Sequence, residues 1–334
     1  MQLSFEQISS LATGVVKTVI TPDGMEFHRF TDSQVKEFDK PLKYFENNDF
    51  FNGYFSRNCR TCAGVTLDFL TDSSFLNIYI SKNEHVNDSS EGNFDIYINR
   101  RHSVSCPADG NMRLDLGKGE KRVTVVFPYF NFPTVSAVEA DCGAFFRPIG
   151  KNTVILCVGD SITQGVAANS SGNIWSMVVS RKCNVHILNQ ANSGYVYNAG
   201  VLERVCEPRV VIAAYGTNDC NYKSCDELYT EACEFIKRLK ALYAESAIIG
   251  VLPPHNLNKD CRANIYEKSP VLERVYRELC IRTVDGKQLI PEDKRYFSED
   301  GTHPNDCGYI SYGNAISNYL LNEGLIDFSN TAKH

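Results

Sequence analysis

Val154-Ile155-Leu156-Cys157-Val158-Gly159-Asp160-Ser161-Ile162-Thr163-Gln164-Gly165 decides the architecture of this chain. The apolar run 154–158 ends abruptly at Gly159, with no polar residue alternating through it. That is the pattern of a strand covered on both faces of a parallel sheet. The turn after it presents Ser161 at the carboxyl end of the strand, the edge at which open α/β sheets bind ligands. One serine is a weak signal, and its weight depends on what the later chain brings to the same edge.

Working outward toward the C-terminus, strand and helix patterns alternate, which implies βαβ units. Helical spacing at 172–182 is followed by a strand at 184–188, a helix at 198–206 and a strand at 209–214. Leu228, Ala232, Phe235, Ile236, Leu239 and Leu242 form an apolar stripe on a helix at 224–244, and Ser224 with Glu227 matches a capping box. A strand at 247–252 stops at Pro253-Pro254. Ser269-Pro270 reads as an N-cap with proline at the first helical position, for a helix reaching 282. A fifth strand is expected near 288–290, and a last helix at 306–322 ends before Gly324.

Toward the N-terminus the period changes to two. Alternating runs at 64–70, 75–80, 94–98 and 122–127 are separated by turn clusters at 71–74, 87–90 and 108–111, as in a β-sandwich. The only helix expected there is a short one at 5–11. Arg147-Pro148-Ile149-Gly150-Lys151-Asn152 reads as a link. The expected organisation is therefore an all-β sandwich over 1–148 and an α/β domain over 149–334.

The chain has 334 residues, 43% hydrophobic and 22% charged, with 34 basic and 40 acidic side chains and a net charge of −6. No dense Lys/Arg block appears, which argues against a nucleic-acid partner or an anionic membrane surface. Residues 1–20 lack the basic and apolar regions of a signal peptide, and no apolar stretch has the length of a membrane span. The 13 cysteines are odd in number and scattered, several inside strands or helices. They fit buried thiols in a reducing, cytoplasmic compartment. Cys59-Arg60-Thr61-Cys62 is the only CxxC, and no second pair completes a four-cysteine metal site.

A serine hydroxyl needs a base, usually a histidine that is itself oriented by a carboxylate. Of the 7 histidines, His303 stands apart. It lies in the turn-rich Ser298-Glu299-Asp300-Gly301-Thr302-His303-Pro304-Asn305, with Asp300 three residues before it. An exposed loop histidine beside an acidic cluster would look the same. Tyr215-Gly216-Thr217-Asn218-Asp219 follows the third strand, where Asn218 can donate to an oxyanion. Asn192-Ser193-Gly194-Tyr195 follows the second strand, where a glycine lets its backbone N–H approach a ligand. Each alone is ordinary turn chemistry. Together, at one expected sheet edge, they form a constellation.

The four blocks Gly159-Asp160-Ser161, Gly194, Gly216-x-Asn218-Asp219 and Asp300-x-x-His303 resemble those of the SGNH hydrolase superfamily, also called the GDSL esterase/lipase family, over residues 152–325. The resemblance implies a flavodoxin-like three-layer α/β/α fold with a five-stranded parallel sheet. It implies Ser161 as nucleophile, His303 as general base and then acid, and Asp300 as the orienting carboxylate. Ser161 N–H, Gly194 N–H and the Asn218 amide would form the oxyanion hole. Such chemistry needs no metal or organic cofactor. Residues 62–73 are similar to the N-terminal jelly-roll-like β-sandwich ahead of some bacterial SGNH esterases, several of which deacetylate plant polysaccharides.

The expected activity is hydrolysis of carboxylic esters, with a short acyl group on a small molecule or oligosaccharide as substrate. A lipase or acyltransferase acting on another ester, and a non-catalytic carbohydrate-binding protein, are the alternatives. Asp160 and Asp219 are expected to hold their loops by accepting backbone N–H bonds. Tyr195 and His255 are candidates for the substrate pocket, set against packing at its rim. Trp175, the single tryptophan, is expected to pack in the core or an interface.

Overall fold

The computed structural model describes residues 1–46, 48–86, 92–150 and 153–327. The turn expected at 87–90, residues 151 and 152 of the link, and His334 lie outside the described residues. Five parallel strands form the central sheet: Val154–Gly159, His186–Ala191, Val210–Ala214, Ala247–Val251 and Arg282–Val284. Numbered along the chain, their spatial order is 2-1-3-4-5. This is the doubly wound order of flavodoxin-like folds, whose switch point lies beside the first strand.

Side chains of the first strand alternate between two helical layers. Leu156 and Val158 face the helices Cys225–Leu242 and Lys259–Glu278, through Leu228, Phe235, Leu272 and Val275. Ile155 and Cys157 face Trp175–Cys183 and Asp306–Asn322, through Val179, Tyr312 and Ile316. Trp175 is fully buried and stacks on Tyr312, with ring centroids 5.1 Å apart. Among the described residues no helix is long and apolar enough to cross a membrane.

Two antiparallel sheets precede this unit. One orders Ala12–Thr13, Thr66–Thr71, Lys121–Val126, Asn93–Ile98 and Arg101–Pro107, with Phe146–Pro148 also paired to Thr66–Thr71. The other orders Lys17–Thr21, Gly24–His28, Asn131–Ala140, Phe75–His85 and Met112–Asp115. Leu67, Phe69, Val123 and Val125 of the first meet Phe27, Ile78 and Val135 of the second in one apolar core.

Several elements differ from expectation. The stretch 198–206 forms only the 3-10 turn Ala199–Val201. Its carbonyls find partners outside a helix: Gln34 donates to Val201 O at 2.8 Å, and Arg238 to Leu202 O. The helix Lys259–Glu278 starts eleven residues before Pro270, capped by the Asn258 side chain. Its buried face, Ile265, Leu272, Val275 and Tyr276, runs continuously past Pro270 and outweighs the hydrogen bond lost there. The fifth strand is Arg282–Val284 and not 288–290, which holds the end of the 3-10 turn Gly286–Gln288. Cys280, at φ 54°, reverses the chain directly after the helix and delivers it early to the sheet edge. That edge strand is largely exposed and carries no apolar run.

The front half also contains the helices Asp32–Phe38 and Tyr54–Asn58. They lie on the α/β unit: Phe38, Phe45 and Phe55 share a core with Tyr195, Val196 and Leu188. Arg29 joins the two halves further. It is fully buried, and its guanidinium donates to the carbonyls of Thr61, Asn189 and Ala191 and to the Thr61 hydroxyl. Burial pushes its pKa down to about 10, so it remains a cation at neutral pH. Each buried acceptor left without a donor costs about 1–3 kcal/mol. Arg29→Ala is therefore expected to lower unfolding stability by about 3 kcal/mol or more, measured by urea denaturation. A loss under about 1 kcal/mol would show that these carbonyls find other partners.

Candidate active site

Parallel register sets the site. Gly159 pairs with Ala191 on one side and Ala214 on the other, so three strands end in one row. Ser161, Gly194 and Asn218 follow that row on successive turns. Close approach there demands glycine: a Cβ on Gly159 would lie 2.3 Å from Thr163 Oγ1 and 2.7 Å from Ala214 O.

Ser161 opens the four-residue helix Ser161–Gln164 and is buried. Asp160 caps this helix, accepting the Ile162 N–H at 3.1 Å. Ser161 Oγ lies 2.8 Å from His303 Nε2, and His303 Nδ1 lies 2.6 Å from Asp300 Oδ2. The other Asp300 oxygen accepts the N–H groups of Thr302 (2.8 Å) and His303 (2.9 Å) and the Ser298 hydroxyl (2.8 Å). Partial burial works to raise the Asp300 pKa, but the His303 ring and these backbone donors hold it well below the usual carboxylate range. An ionised Asp300 fixes the Nδ1–H tautomer and leaves the Nε2 lone pair facing the serine hydroxyl. This chain of contacts can draw a proton from Ser161 and return it to a leaving group.

The loop carrying His303 is braced by Gly301, at φ 69°, whose carbonyl accepts the Leu257 N–H at 2.7 Å. Beside it, Asn256 meets the Thr302 hydroxyl at 3.3 Å. His255 therefore sits on a loop that borders the histidine loop. Its own ring partners are the Tyr266 hydroxyl (3.3 Å) and Glu292 (3.5 Å).

Gly194 has φ +77°, a left-handed conformation that favours glycine. The Asn218 amide donates to Tyr195 O at 3.0 Å and carries a second N–H. Asp219 is fully buried and accepts the Tyr197 N–H (2.9 Å) and Lys223 Nζ (2.6 Å). Burial raises its pKa, and Lys223 works against that shift. Both aspartates thus accept backbone N–H groups. Tyr195 does not line an open pocket: it is fully buried, its ring lies 4.8 Å from Phe38 and 4.9 Å from Phe55, and its hydroxyl accepts from Asn198. The Phe38 and Phe55 rings cover it. Cys59 and Cys62 are buried too, with thiols pushed up to about 12, so both stay neutral.

Sequence reasoning missed what the front half brings to this edge. The Phe51 and Phe55 rings lie against Gly194, 3.1 and 3.4 Å from where a Cβ would stand. Tyr54 is buried beside them, its ring centroid 5.6 Å from that of Phe55. The aromatic density of Phe45, Phe50, Phe51, Tyr54 and Phe55 was the available signal.

The protein is a carboxylic ester hydrolase built on an α/β sheet. Its residues 157–309 match the model of the GDSL-like lipase/acylhydrolase family. No curated protein matches the chain. Among solved structures it is similar to a salicylyl-acyltransferase from a tetracycline biosynthetic pathway, with 17% identity, TM-score 0.74 and coverage of 94% of this chain and 95% of that one. It is also similar to a family two carbohydrate esterase with a carbohydrate-binding domain from Corynascus thermopiles (Myceliophthora fergusii), with 15% identity, TM-score 0.61 and coverage of 78% and 94%. A family two carbohydrate esterase from Clostridium thermocellum, solved with cellohexaose, has 15% identity, TM-score 0.60 and coverage of 80% and 94%. At these identities the likeness is one of fold.

Asp160 offers a test of the electrostatics. Burial, with the Asp219 charge nearby, pushes its pKa up to about 7 against the backbone N–H groups that lower it. The folded protein thus binds this proton more tightly than the unfolded chain. Stability is lost as pH rises from about 4 to about 7, and the loss persists above that. Asp160→Asn keeps an oxygen for the Ile162 N–H and has no charge to bury. Its melting temperature relative to wild type is expected to rise between about pH 4 and about pH 8. A difference that stays constant over that range would contradict the assignment.

Proposed function

We propose that the protein removes short acyl groups, acetyl above all, from a carbohydrate, through an acyl-enzyme on Ser161. The observation that carries this reading is the unbroken hydrogen-bonded chain Ser161–His303–Asp300 at the carboxyl edge of the parallel sheet. His303 Nε2 takes the hydroxyl proton as Ser161 Oγ attacks the ester carbonyl. The resulting oxyanion accepts hydrogen bonds from the N–H groups of Ser161 and Gly194 and from the Asn218 amide. His303 then gives its proton to the departing alcohol. A water molecule enters, loses a proton to Nε2, and releases the acid with Ser161 restored.

The carbohydrate part is supported by the front β-module, taken as 1–148 ahead of a catalytic domain at 149–334. The fold likeness to family two carbohydrate esterases, one of them solved with cellohexaose, points the same way. Thirteen free thiols support a cytoplasmic location. A second reading, transfer of the acyl group to an alcohol instead of water, is favoured by the near full-length fold likeness to the salicylyl-acyltransferase.

Ser161→Ala is expected to lower hydrolysis of p-nitrophenyl acetate by at least about a thousandfold, and Asp300→Asn by roughly the same order. Activity that persists in Ser161→Ala would sink the reading. On acetylated xylo-, manno- and gluco-oligosaccharides, release of free acetate is expected. Activity confined to long-chain esters would remove the carbohydrate part, and acyl transfer to an added sugar in preference to water would favour the second reading.

A further inference from the structure

Asn58 ends the front-half helix Tyr54–Asn58 and is fully buried. Its Nδ2 donates to Gln164 Oε1 at 2.8 Å and to Asn192 Oδ1 at 2.6 Å. In return its Oδ1 accepts from Gln164 Nε2 at 2.9 Å. Gln164 is also fully buried and closes the short helix that begins at Ser161. Its Oε1 accepts, in addition, the backbone N–H of Ser193 at 2.7 Å. Its Nε2 also reaches the Thr61 hydroxyl at 3.1 Å. Asn192, fully buried as well, donates from its side chain to Phe55 O at 3.0 Å and from its backbone to Gly159 O at 3.0 Å.

Three buried carboxamides thus tie the turn after the first strand to the turn after the second, and a residue outside the parallel-sheet unit closes the knot. Ser193 immediately precedes Gly194, and Gln164 is one helical turn from Ser161. Both hydrogens of the Asn58 amide are used, and Gln164 Oε1 is filled by two donors. A network satisfied in this way has a single register, since any shift leaves a buried polar atom unpaired.

We propose that Asn58 and Gln164 are positioning residues that set the spacing between the backbone N–H of Ser161 and that of Gly194, so that both meet one oxyanion. This rests on the reading of Ser161 as nucleophile and of those N–H groups as oxyanion donors. Neither side chain touches substrate. Both act through the two turns they join. Apolar replacements would still fill the space but would not hold the register. Misplacing reacting groups by about 1 Å costs roughly a hundredfold in rate.

The test compares wild type, Asn58→Ala, Asn58→Ser, Gln164→Met, the double variant Asn58→Ala/Gln164→Met, and Val65→Ala. The last removes volume from the sandwich core and serves as a stability control. For each, kcat and KM on p-nitrophenyl acetate, the inhibition constant of phenylboronic acid and the melting temperature are measured. Phenylboronic acid forms a tetrahedral adduct on a serine and reads the oxyanion hole directly.

The single variants are expected to lower kcat about ten- to a hundredfold with KM within about twofold, and to weaken boronate binding by a similar factor. The double variant should be little worse than the poorer single one, because both residues act through the same two turns. The pH profile of kcat/KM should keep its wild-type midpoint, since His303 and Asp300 are untouched. Val65→Ala should lose stability without losing kcat. Gln164→Met is close in volume to glutamine, and Asn58→Ser keeps a hydroxyl, so these carry the test if Asn58→Ala fails to fold. Folded variants with kcat within about twofold of wild type, or with unchanged boronate affinity, would overturn the proposal. Loss of fold in every variant would also count against it, by making the network a folding element. Wild-type hydrolysis that survives Ser161→Ala would instead overturn the underlying reading, and the proposal with it.

Discussion

The close approach of backbones at Gly159 is the constraint on which the rest of the site depends. Its register with Ala191 and Ala214 ends three parallel strands in one row, and any Cβ there would strike Thr163 and the Ala214 carbonyl. From that row three short turns leave in the same direction, carrying Ser161, Gly194 and Asn218. The remaining groups, His303 and Asp300, arrive on a loop before the last helix and close on Ser161 through contacts of 2.8 and 2.6 Å. A helix cap at Asp160 and a left-handed glycine at Gly194 hold the turns in place. Geometry of this kind follows from strand order and register, which is why distant positions in the sequence form one compact group.

The front half is more than a neighbour of this edge. Arg29 reaches through the interface to carbonyls at the end of the second parallel strand. Phe51 and Phe55 roof Gly194, and Asn58 enters the amide network behind Ser161 and Ser193. A buried cation held by carbonyls and a buried carboxamide ring are costly to leave unsatisfied. The arrangement of the two halves is therefore tightly specified, and the turn geometry at the site depends on both.

The α/β half was legible because its signals are local. The apolar run 154–158 ends in a glycine, Ser224 and Glu227 form the capping box expected of them, and the last helix spans Asp306–Asn322 as its pattern predicts. The misread elements were decided by tertiary contacts. Pro270 lies inside a helix whose buried face overrides it, and the 198–206 stretch gives its carbonyls to Gln34 and Arg238 instead of to a helix. The residues that form the site carried chemical signatures; those that position it did not. Asn58, Gln164 and Arg29 are ordinary polar residues in sequence, and only burial against named partners distinguishes them. Tyr195 stood next to a motif glycine and looked accessible, but the Phe38 and Phe55 rings turn it into core.

The most direct test of the central claim, that Ser161 is the attacking group drawn out by His303, is to catch the acyl group in place. Wild-type protein is mixed briefly with p-nitrophenyl acetate, quenched in acid, digested and examined by peptide mass spectrometry. One acetyl group is predicted on the peptide containing Ser161, assigned to that side chain by fragmentation and lost on longer incubation. Little or none is predicted in His303→Ala. Acetyl transferred to another residue, or rapid turnover with no acetyl ever found on Ser161, would contradict the account.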